Sequence, residues 1–157
     1  MNWLRSAETQ LQLKMKPKKT WHEKLADSKD LPKTMVIPAP REVDALMKQV
    51  PKGRIVTINE LRAALAKKHQ TDFACPLTAG IFSWIAAHAA AEAEAEGAKR
   101  VTPFWRTLKT GGEINPKYPG GVEAVAGRLR AEGHKIISKG KRMLVAGHEK
   151  KLFTKFR

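Results

Sequence analysis

The residues whose types suggest a functional site form one short segment. Pro103 is followed by Phe104, Trp105 and Arg106 and, after a Gly-rich turn, by Tyr118. Trp105 and Tyr118 together predict part of an aromatic-lined pocket. Two adjacent aromatic residues after a proline are equally typical of core anchors. The phenyl ring of Phe104 is not a nucleophile, so the segment favours binding over covalent chemistry.

Other residues that carry chemistry in proteins lack the partners that such chemistry needs. Cys75, the single cysteine, is predicted to start a helix, a position that favours the thiolate, but no histidine is adjacent to it in the sequence. We therefore interpret Cys75 as an ordinary small residue near a helix cap. The histidines lack the spacing of metal ligands, and no phosphate-binding loop is present. We expect no metal site and no cofactor.

The strongest global signal is the charge. The chain has 157 residues, enough for one domain with a tail, and a formal net charge of +15, which favours polyanions and nucleic acid first. Charge alone does not separate DNA from RNA, because ribosome-associated proteins share this composition. No apolar run approaches membrane-spanning length, so we expect no membrane partner. A single cysteine fits a reducing compartment, and we expect a cytoplasmic monomer, associated with the nucleoid if the protein is bacterial.

Composition divides the chain into a basic N-terminal extension, residues 1–39, and a domain, residues 40–157. The extension contains a basic run at residues 14–19 that a proline interrupts. Such runs are typical of arms that lie along phosphates and equally of solvated tails. We expect the extension to pack on the domain through Trp21 and Ile37.

A helix-turn-helix is predicted before the aromatic segment. The capping box formed by Thr57 and Glu60 opens a helix that runs to about Lys68. A second, longer helix starts with Pro76 at the favoured first position and runs to Glu96. By its position, the second helix is the recognition helix, which enters a groove of the nucleic acid. Its large residues that share one face are Leu77, Ile81, Trp84, Ile85 and His88.

Shorter elements surround this pair of helices. Pro40 opens a preceding helix, and Ile55–Val56 forms a strand. After the aromatic segment, a helix is predicted from Gly121 to Glu132. A hairpin of residues 134–138 and 142–145 follows, and we interpret its basic turn as a wing or a solvated tip. The predicted fold class is therefore mostly α (α+β).

The aromatic segment resembles the active-site segment of the alkylguanine-DNA alkyltransferases. In that family Pro-Cys-His-Arg precedes a short strand, a turn, and Tyr-Ser-Gly-Gly before a helix. The matching residues of this chain are Pro103, Arg106, Tyr118, Gly120 and Gly121. The acceptor Cys of the family is replaced by Phe104, and its activating His by Trp105.

The resemblance extends over residues 41–136. The family's Tyr that helps rotate the target nucleotide is replaced by Ile58, and Pro76 lies near the position of the family's intercalating Arg. Residues 78–80, Thr-Ala-Gly, resemble the family's Val-Gly-Gly, whose small residues let the backbone approach DNA.

The resemblance implies a winged helix-turn-helix domain of the alkyltransferase C-terminal type, with a basic N-terminal arm and a C-terminal β-hairpin. It implies a non-catalytic duplex-DNA-binding protein, with altered or alkylated DNA as an expected ligand. An RNA- or ribosome-associated protein and an active alkyltransferase that uses Cys75 remain alternatives. The predicted DNA contacts are Lys52, Arg54, Thr57, Asn59, Lys67, Lys68, Thr78, Ser83 and Lys109. The predicted former active-site pocket comprises Pro103, Phe104, Trp105, Arg106 and Tyr118.

Overall fold

The computed structural model describes residues 18–28 and 34–157 of the chain. The chain divides into two units, residues 1–31 and 32–157. In the first unit, helix α1 (Trp21–Ala26) begins with a capping box in which the Thr20 side chain and the Glu23 backbone are joined. Most of the predicted basic run lies outside the described residues.

Four further helices belong to the second unit, and their first residues explain where they begin. Helices α2 (Pro40–Lys48) and α4 (Pro76–Ala95) start with the predicted prolines, whose missing N–H costs nothing in the first turn. Helix α3 (Ile58–His69) follows the predicted capping box of Thr57 and Glu60, and helix α5 (Gly121–Ala131) follows the aromatic segment. The predicted helices of the domain are thereby confirmed.

The strands are short and pair in twos. Strand β1 (Met35–Val36) lies parallel to β3 (Phe73–Ala74), and β2 (Val56–Thr57) lies parallel to β4 (Thr107–Leu108). The C-terminal pair is antiparallel, and its bounds are β5 (Ile136–Lys139) and β6 (Arg142–Val145). The mostly helical α+β class and the C-terminal hairpin are therefore confirmed.

Strand β1 lies in the range assigned to the extension. The backbone N–H of Cys75 donates to the carbonyl of Val36 at 2.9 Å, and the Val36 side chain packs against the core. Ile37 is exposed. The prediction that Ile37 anchors the extension is therefore wrong, because the contact is made by the preceding residue and by strand pairing.

The core lies between α2, α3, the middle of α4 and α5. Its largest fully buried side chains include Met47, Leu61, Leu65, Leu108 and Leu129. Leu108 lies on strand β4, and the other four lie on the inward faces of their helices, as the helical spacing of apolar residues requires.

Helix α4 packs on this core through small residues. Its buried residues are Ala79, Ser83, Ala86, Ala87 and Ala90. The opposite face carries the large apolar residues, and Leu77 remains 69% exposed. Small buried residues let α2 and α4 approach closely while α4 presents its bulky side chains outward. Among the described residues, no helix combines the length and apolar character needed to cross a membrane.

Candidate nucleic-acid interface

The aromatic segment is packed rather than hollow. Residues 104–106 form one turn of 3₁₀ helix between a buried Pro103 and strand β4. The Phe104 side chain is 2% exposed, and its ring lies edge-on to Trp105 and Tyr118, with centroids 5.4 and 5.8 Å apart. The rings fill the space between them. The prediction of a pocket at these residues is therefore wrong, and Phe104 and Tyr118 are core anchors.

Arg106 holds this segment to its surroundings. Its Nη1 donates to the Val50 carbonyl at 2.7 Å, and its Nε and Nη2 donate to the Glu132 carboxylate at 2.7–3.1 Å. Trp105 donates its Nε1–H to the same carboxylate at 2.9 Å. Burial by itself raises the pKa of Glu132, but the hydrogen bonds from Arg106 and Trp105 outweigh it and hold that pKa below its ordinary value. These contacts indicate a structural role for Arg106.

A second arginine ties the segment to the end of α4. The Arg128 guanidinium lies 4.4 Å from the centroid of the Trp105 ring. Its two terminal nitrogens donate to the Glu94 carboxylate at 3.0 and 2.6 Å, and this pairing lowers the pKa of Glu94. One of the three glutamates at the end of α4 is thereby paired with α5.

An open cleft of about 1210 Å³ lies beside the N-terminal half of α4. We call it the α4 cleft. Its walls come from the first turns of α3, from α4, and from the loop of residues 109–117. The lining residues that bear on binding are Asn59, Arg62, Leu77, Gly80, Ile81, Trp84, Lys109, Glu113 and Lys117.

The far wall of the α4 cleft is fastened to α4 by hydrogen bonds. Trp84 donates its Nε1–H to the Lys117 carbonyl at 3.1 Å, and the His88 Nε2 lies 3.2 Å from the same oxygen. The backbone N–H of Lys117 donates to the Asn115 side chain at 3.0 Å. The carbonyl of Lys117 is therefore directed at α4, which fixes the loop as a wall of the cleft.

Three cations line the α4 cleft. Arg62 donates its Nε–H to the Ala74 carbonyl at 2.9 Å. Lys109 lies 3.2 Å from the Glu113 carboxylate, and its side chain is about half exposed. Lys117 is exposed. This side of the chain is therefore positively charged, with Glu113 as the single acid among these lining residues.

Of the predicted DNA contacts, two line this cleft with exposed side chains: Asn59 and Lys109. Arg62 and Lys117 were missed. Arg62 lies three residues after Asn59 on a helix, a spacing that places the two on one face. Lys117 directly precedes Tyr118 of the aromatic segment, and this position in the sequence could have indicated that Lys117 lies near the site.

Four predicted contacts lie elsewhere. Lys67 and Lys68 belong to the last turn of α3 and line a separate cleft of about 500 Å³ against the C-terminal residues. Lys68 also pairs with Glu42 at 2.6 Å. Lys52 and Arg54 lie in the turn after α2, where Arg54 donates to the Leu152 carbonyl at 3.2 Å. These four cations do not line the α4 cleft.

Two predicted contacts are corrected by burial. The Thr57 hydroxyl is buried and bonded within its capping box to Glu60. Ser83 is fully buried at the floor of the cleft, where its hydroxyl donates to the Gly80 carbonyl at 2.8 Å. Ser83 also shares a hydrogen bond with Tyr118, whose pKa burial raises to about 12. Neither hydroxyl is free to meet a ligand.

Residues 78–80 have the geometry predicted for a close backbone approach. Thr78 is half-buried, and its hydroxyl lies 3.4 Å from the Cys75 carbonyl. A Cβ placed on Gly80 would meet no atom within 4 Å, so the backbone faces open space. A ligand can therefore approach the α4 backbone at Gly80 without a side chain in the way.

Cys75 precedes α4 as its N-terminal cap. Hydrogen bonds from the Thr78 side chain and backbone, with smaller contributions from the Leu77 backbone and the Arg62 charge, lower the pKa of the Cys75 thiol. Among the described residues, the groups that shift this thiol include no histidine or carboxylate that could act as a base. Within the same part of the chain, no cluster of three His, Cys, Asp or Glu side chains is arranged to hold a metal ion.

Comparison with known proteins gives a similarity of structure and none of sequence. No family model and no curated protein sequence matches the chain. The chain is similar in structure to a chain in the crystal structure of S. pombe Atl1 in complex with damaged DNA containing O6-carboxymethylguanine. The sequence identity is 16%, the match covers 73% of this chain and 93% of that chain, and the TM-score is 0.48. The functional proposal below rests on the residues and contacts of this chain and on its motif resemblance.

Proposed function

We propose that this chain is a non-catalytic DNA-binding protein that contacts duplex DNA through the α4 cleft. In this proposal, α3 and α4 form a helix-turn-helix of the alkyltransferase C-terminal type, and the β5–β6 hairpin is its wing. The observation that carries the proposal is the exposed, uncharged first half of α4 beside three cations, Arg62, Lys109 and Lys117.

The surface chemistry supports a backbone-contacting mode. Residues 76–91 include no Asp, Glu, Lys or Arg, so nothing on the first half of α4 repels phosphate. The three flanking cations supply the charge that attracts a polyanion. Gly80 permits close approach of the helix backbone, and the exposed Leu77 and Ile81 supply apolar contact area.

The same surface favours recognition of DNA shape over base sequence. The bidentate hydrogen bonds that read base edges most specifically come from Arg, Lys, Asn or Gln side chains on the helix that enters the groove. Residues 76–91 contain none of these types. The proposed ligands are therefore duplexes distinguished by the geometry of the DNA backbone and by how easily their bases can be reached. Altered or alkylated DNA is the member of that class that the motif resemblance implies.

The chemistry of the alkyltransferases has no counterpart in the aromatic segment. Phe104, at the position of the acceptor, is a buried hydrocarbon ring. Trp105, at the position of the base, donates its only N–H to Glu132. Neither side chain can accept an alkyl group or a proton in this role, which supports the non-catalytic proposal.

Salt dependence tests the proposed binding mode. If the surface neutralises about four to six phosphates, log K for a short duplex DNA should fall against log salt with a slope of roughly −4 to −5. Fluorescence anisotropy at a series of salt concentrations measures this slope. An affinity that does not change with salt would remove the basis of the proposal.

Competition separates DNA from the RNA alternative. We expect unlabelled duplex DNA to displace the labelled duplex at lower concentration than a structured RNA of equal charge. Preferential displacement by RNA would favour the ribosome-associated alternative, because the +15 charge serves either polymer.

Methyl transfer tests the remaining alternative. Cys75 has a lowered pKa but no base among the groups that shift it, so we expect no transfer of radiolabelled methyl from alkylguanine DNA to the protein. Intact-protein mass spectrometry after incubation measures the outcome, with Cys75→Ser as the matched control. Stoichiometric methylation that disappears in Cys75→Ser would establish an active alkyltransferase.

A further inference from the structure

An apolar groove lies between α2 and the middle of α4 and shares no lining residue with the α4 cleft. We call it the α2–α4 groove, and its volume is about 320 Å³. The side chains that α4 contributes to it include Phe82, Ile85, Ala89 and Ala93. Ile85 remains 42% exposed, and Ala89 is exposed as well, so part of this apolar wall faces solvent.

The rim of the α2–α4 groove is positively charged. Asp44, the one acid among the lining residues, pairs with Lys48 at 2.7 Å and accepts a hydrogen bond from Thr102. Arg41 and Arg100 are exposed, and within the described part of the chain neither forms an ion pair. The groove therefore suits an occupant that presents small apolar side chains together with carboxylates.

The end of α4 presents side chains of this kind. Among residues 18–28 and 34–157, Glu92 and Glu96 are the acidic side chains that form neither a hydrogen bond nor an ion pair. Glu94, which lies between them, is paired with Arg128. Acids at the C-terminal end of a helix oppose its dipole, so the two unpaired glutamates do not stabilise α4. On a chain of net charge +15, they indicate a contact with another positively charged surface.

The two glutamates continue the exposed wall of the groove. Ile85, Ala89, Glu92 and Glu96 follow one another at intervals of four, three and four residues, which places them in one row along α4. The row is apolar at the groove and acidic beyond it. Rows with this spacing are typical of helices that pair with another helix.

An antiparallel second copy of α4 matches this row. Helices α2 and α4 both begin beside the paired strands β1 and β3, so Arg41, in the first turn of α2, lies toward the start of α4. Glu92 lies about 10 Å further along the helix axis than Ile85. A two-fold axis close to Ala89 therefore places Glu92 and Glu96 of each copy at the end of the other copy's groove that carries Arg41.

We propose that the α2–α4 groove binds a second copy of this chain, in a two-fold dimer in which the two α4 helices pack antiparallel. Glu92 and Glu96 of each copy pair with Arg41 of the other, and Ile85 and Ala89 are covered near the axis. The net charge of +15 on each copy opposes association, but salt screens charges that lie more than about 8 Å apart, and the facing pairs lie closer than that. This dimer replaces the monomer expected from the sequence and does not depend on DNA binding.

Charge exchange tests the proposed interface. Glu92→Lys with Glu96→Lys reverses one side of it, and Arg41→Glu reverses the other. Both changes agree with the dipoles of their helices, so both proteins should fold. We expect the parent to dimerise reversibly in sedimentation equilibrium at about 0.15 M salt without DNA, and each variant to dimerise at least about tenfold more weakly. The combined variant, in which the charges are exchanged, should recover to within about threefold of the parent.

The matched control is Glu123→Lys with Glu149→Lys, which makes the same change of charge at two exposed acids outside the groove. We expect this control to dimerise like the parent. A parent that remains monomeric up to about 1 mM would overturn the inference and leave the proposed function unaffected. Equal weakening in the control, or a combined variant that does not recover, would place any dimer contact elsewhere and overturn the inference as well.

Discussion

Replacing Arg106 with alanine should lower the melting temperature by roughly 6–20 °C. The Arg106 and Glu132 side chains are 14% and 7% exposed, and the guanidinium also donates to the Val50 carbonyl. Removing one partner of a buried ion pair leaves the other charge without compensation, which costs about 3–5 kcal/mol. One kcal/mol corresponds to a shift of roughly 2–4 °C for a chain of this length. Thermal unfolding followed by circular dichroism measures the difference.

An exposed arginine on α5, the helix that Glu132 caps, provides the control. Arg130 lies 3.8 Å from Glu123, and their side chains are 50% and 76% exposed. Such surface pairs contribute about 0–1 kcal/mol, so Arg130→Ala should melt within a few degrees of the parent. Equal melting temperatures for Arg106→Ala and Arg130→Ala would show that Arg106 has no structural role.

The pH dependence of the Arg106→Ala effect follows from Glu132. The pKa of Glu132 is lower in the folded protein than its ordinary value of 4.5, which also approximates the unfolded chain. The stabilisation by the ion pair is therefore fully present above that value and is lost as the pH falls through the folded pKa. The difference in melting temperature between parent and Arg106→Ala should accordingly be constant near neutral pH and shrink as the pH falls below 4.5 toward the folded pKa of Glu132.

Local chemistry made the helices predictable from the sequence. Pro40 and Pro76 restrict φ at the first position of their helices. The capping box of Thr57 and Glu60 satisfies backbone N–H groups that have no partner within the helix. The basic Lys139-Gly140-Lys141 turn likewise joins two alternating runs into the hairpin. These interactions join residues that are close in the sequence, so the local sequence is enough to predict them.

The site was harder to predict because it depends on long-range packing. The spacing of Leu77, Ile81 and Trp84 placed them on one face of α4, but spacing does not state which face is buried. The alanine face packs inward because a close approach of α2 and α4 admits only small side chains. Ser83 lies on the same buried face as the alanines, so its predicted contact with DNA is wrong.

The aromatic segment illustrates a related difficulty. A pocket and a core anchor require the same residue types, and the choice depends on what fills the space beside Phe104. Tyr118 and Arg128 come from residues that follow it in the chain, and both lie within 6 Å of the Phe104 ring. These two side chains therefore fill the space in which a pocket was predicted. The Tyr118 hydroxyl is hydrogen-bonded to Ser83 and Asn115, and those two residues, not Tyr118, line the α4 cleft.

The α4 cleft gives the largest expected effect on binding. Arg62 on α3 and Lys109 and Lys117 on the loop of residues 109–117 approach one ligand surface, so a duplex seated there can contact all three at once. Each charge-assisted hydrogen bond from one of these cations to a phosphate contributes about 1–2 kcal/mol to binding. The neighbouring Glu113 offsets part of the Lys109 charge in the free protein. Binding of DNA therefore has to compete with that ion pair at one of the three positions.

The triple variant Arg62→Gln, Lys109→Gln, Lys117→Gln should bind duplex DNA about a hundredfold to a thousandfold more weakly and reduce the salt slope by about three. The matched control replaces three exposed lysines of other elements, Lys99, Lys150 and Lys155, with glutamine and loses the same charge. Fluorescence anisotropy measures both proteins, and thermal unfolding checks that the loss of the Arg62 bond to the Ala74 carbonyl has not unfolded the domain. If both triple variants weaken binding equally, the attraction comes from net charge alone, and the α4 cleft is not the site where DNA binds. A large loss confined to the cleft variant is the result that the exposed, uncharged face of α4 beside these cations requires.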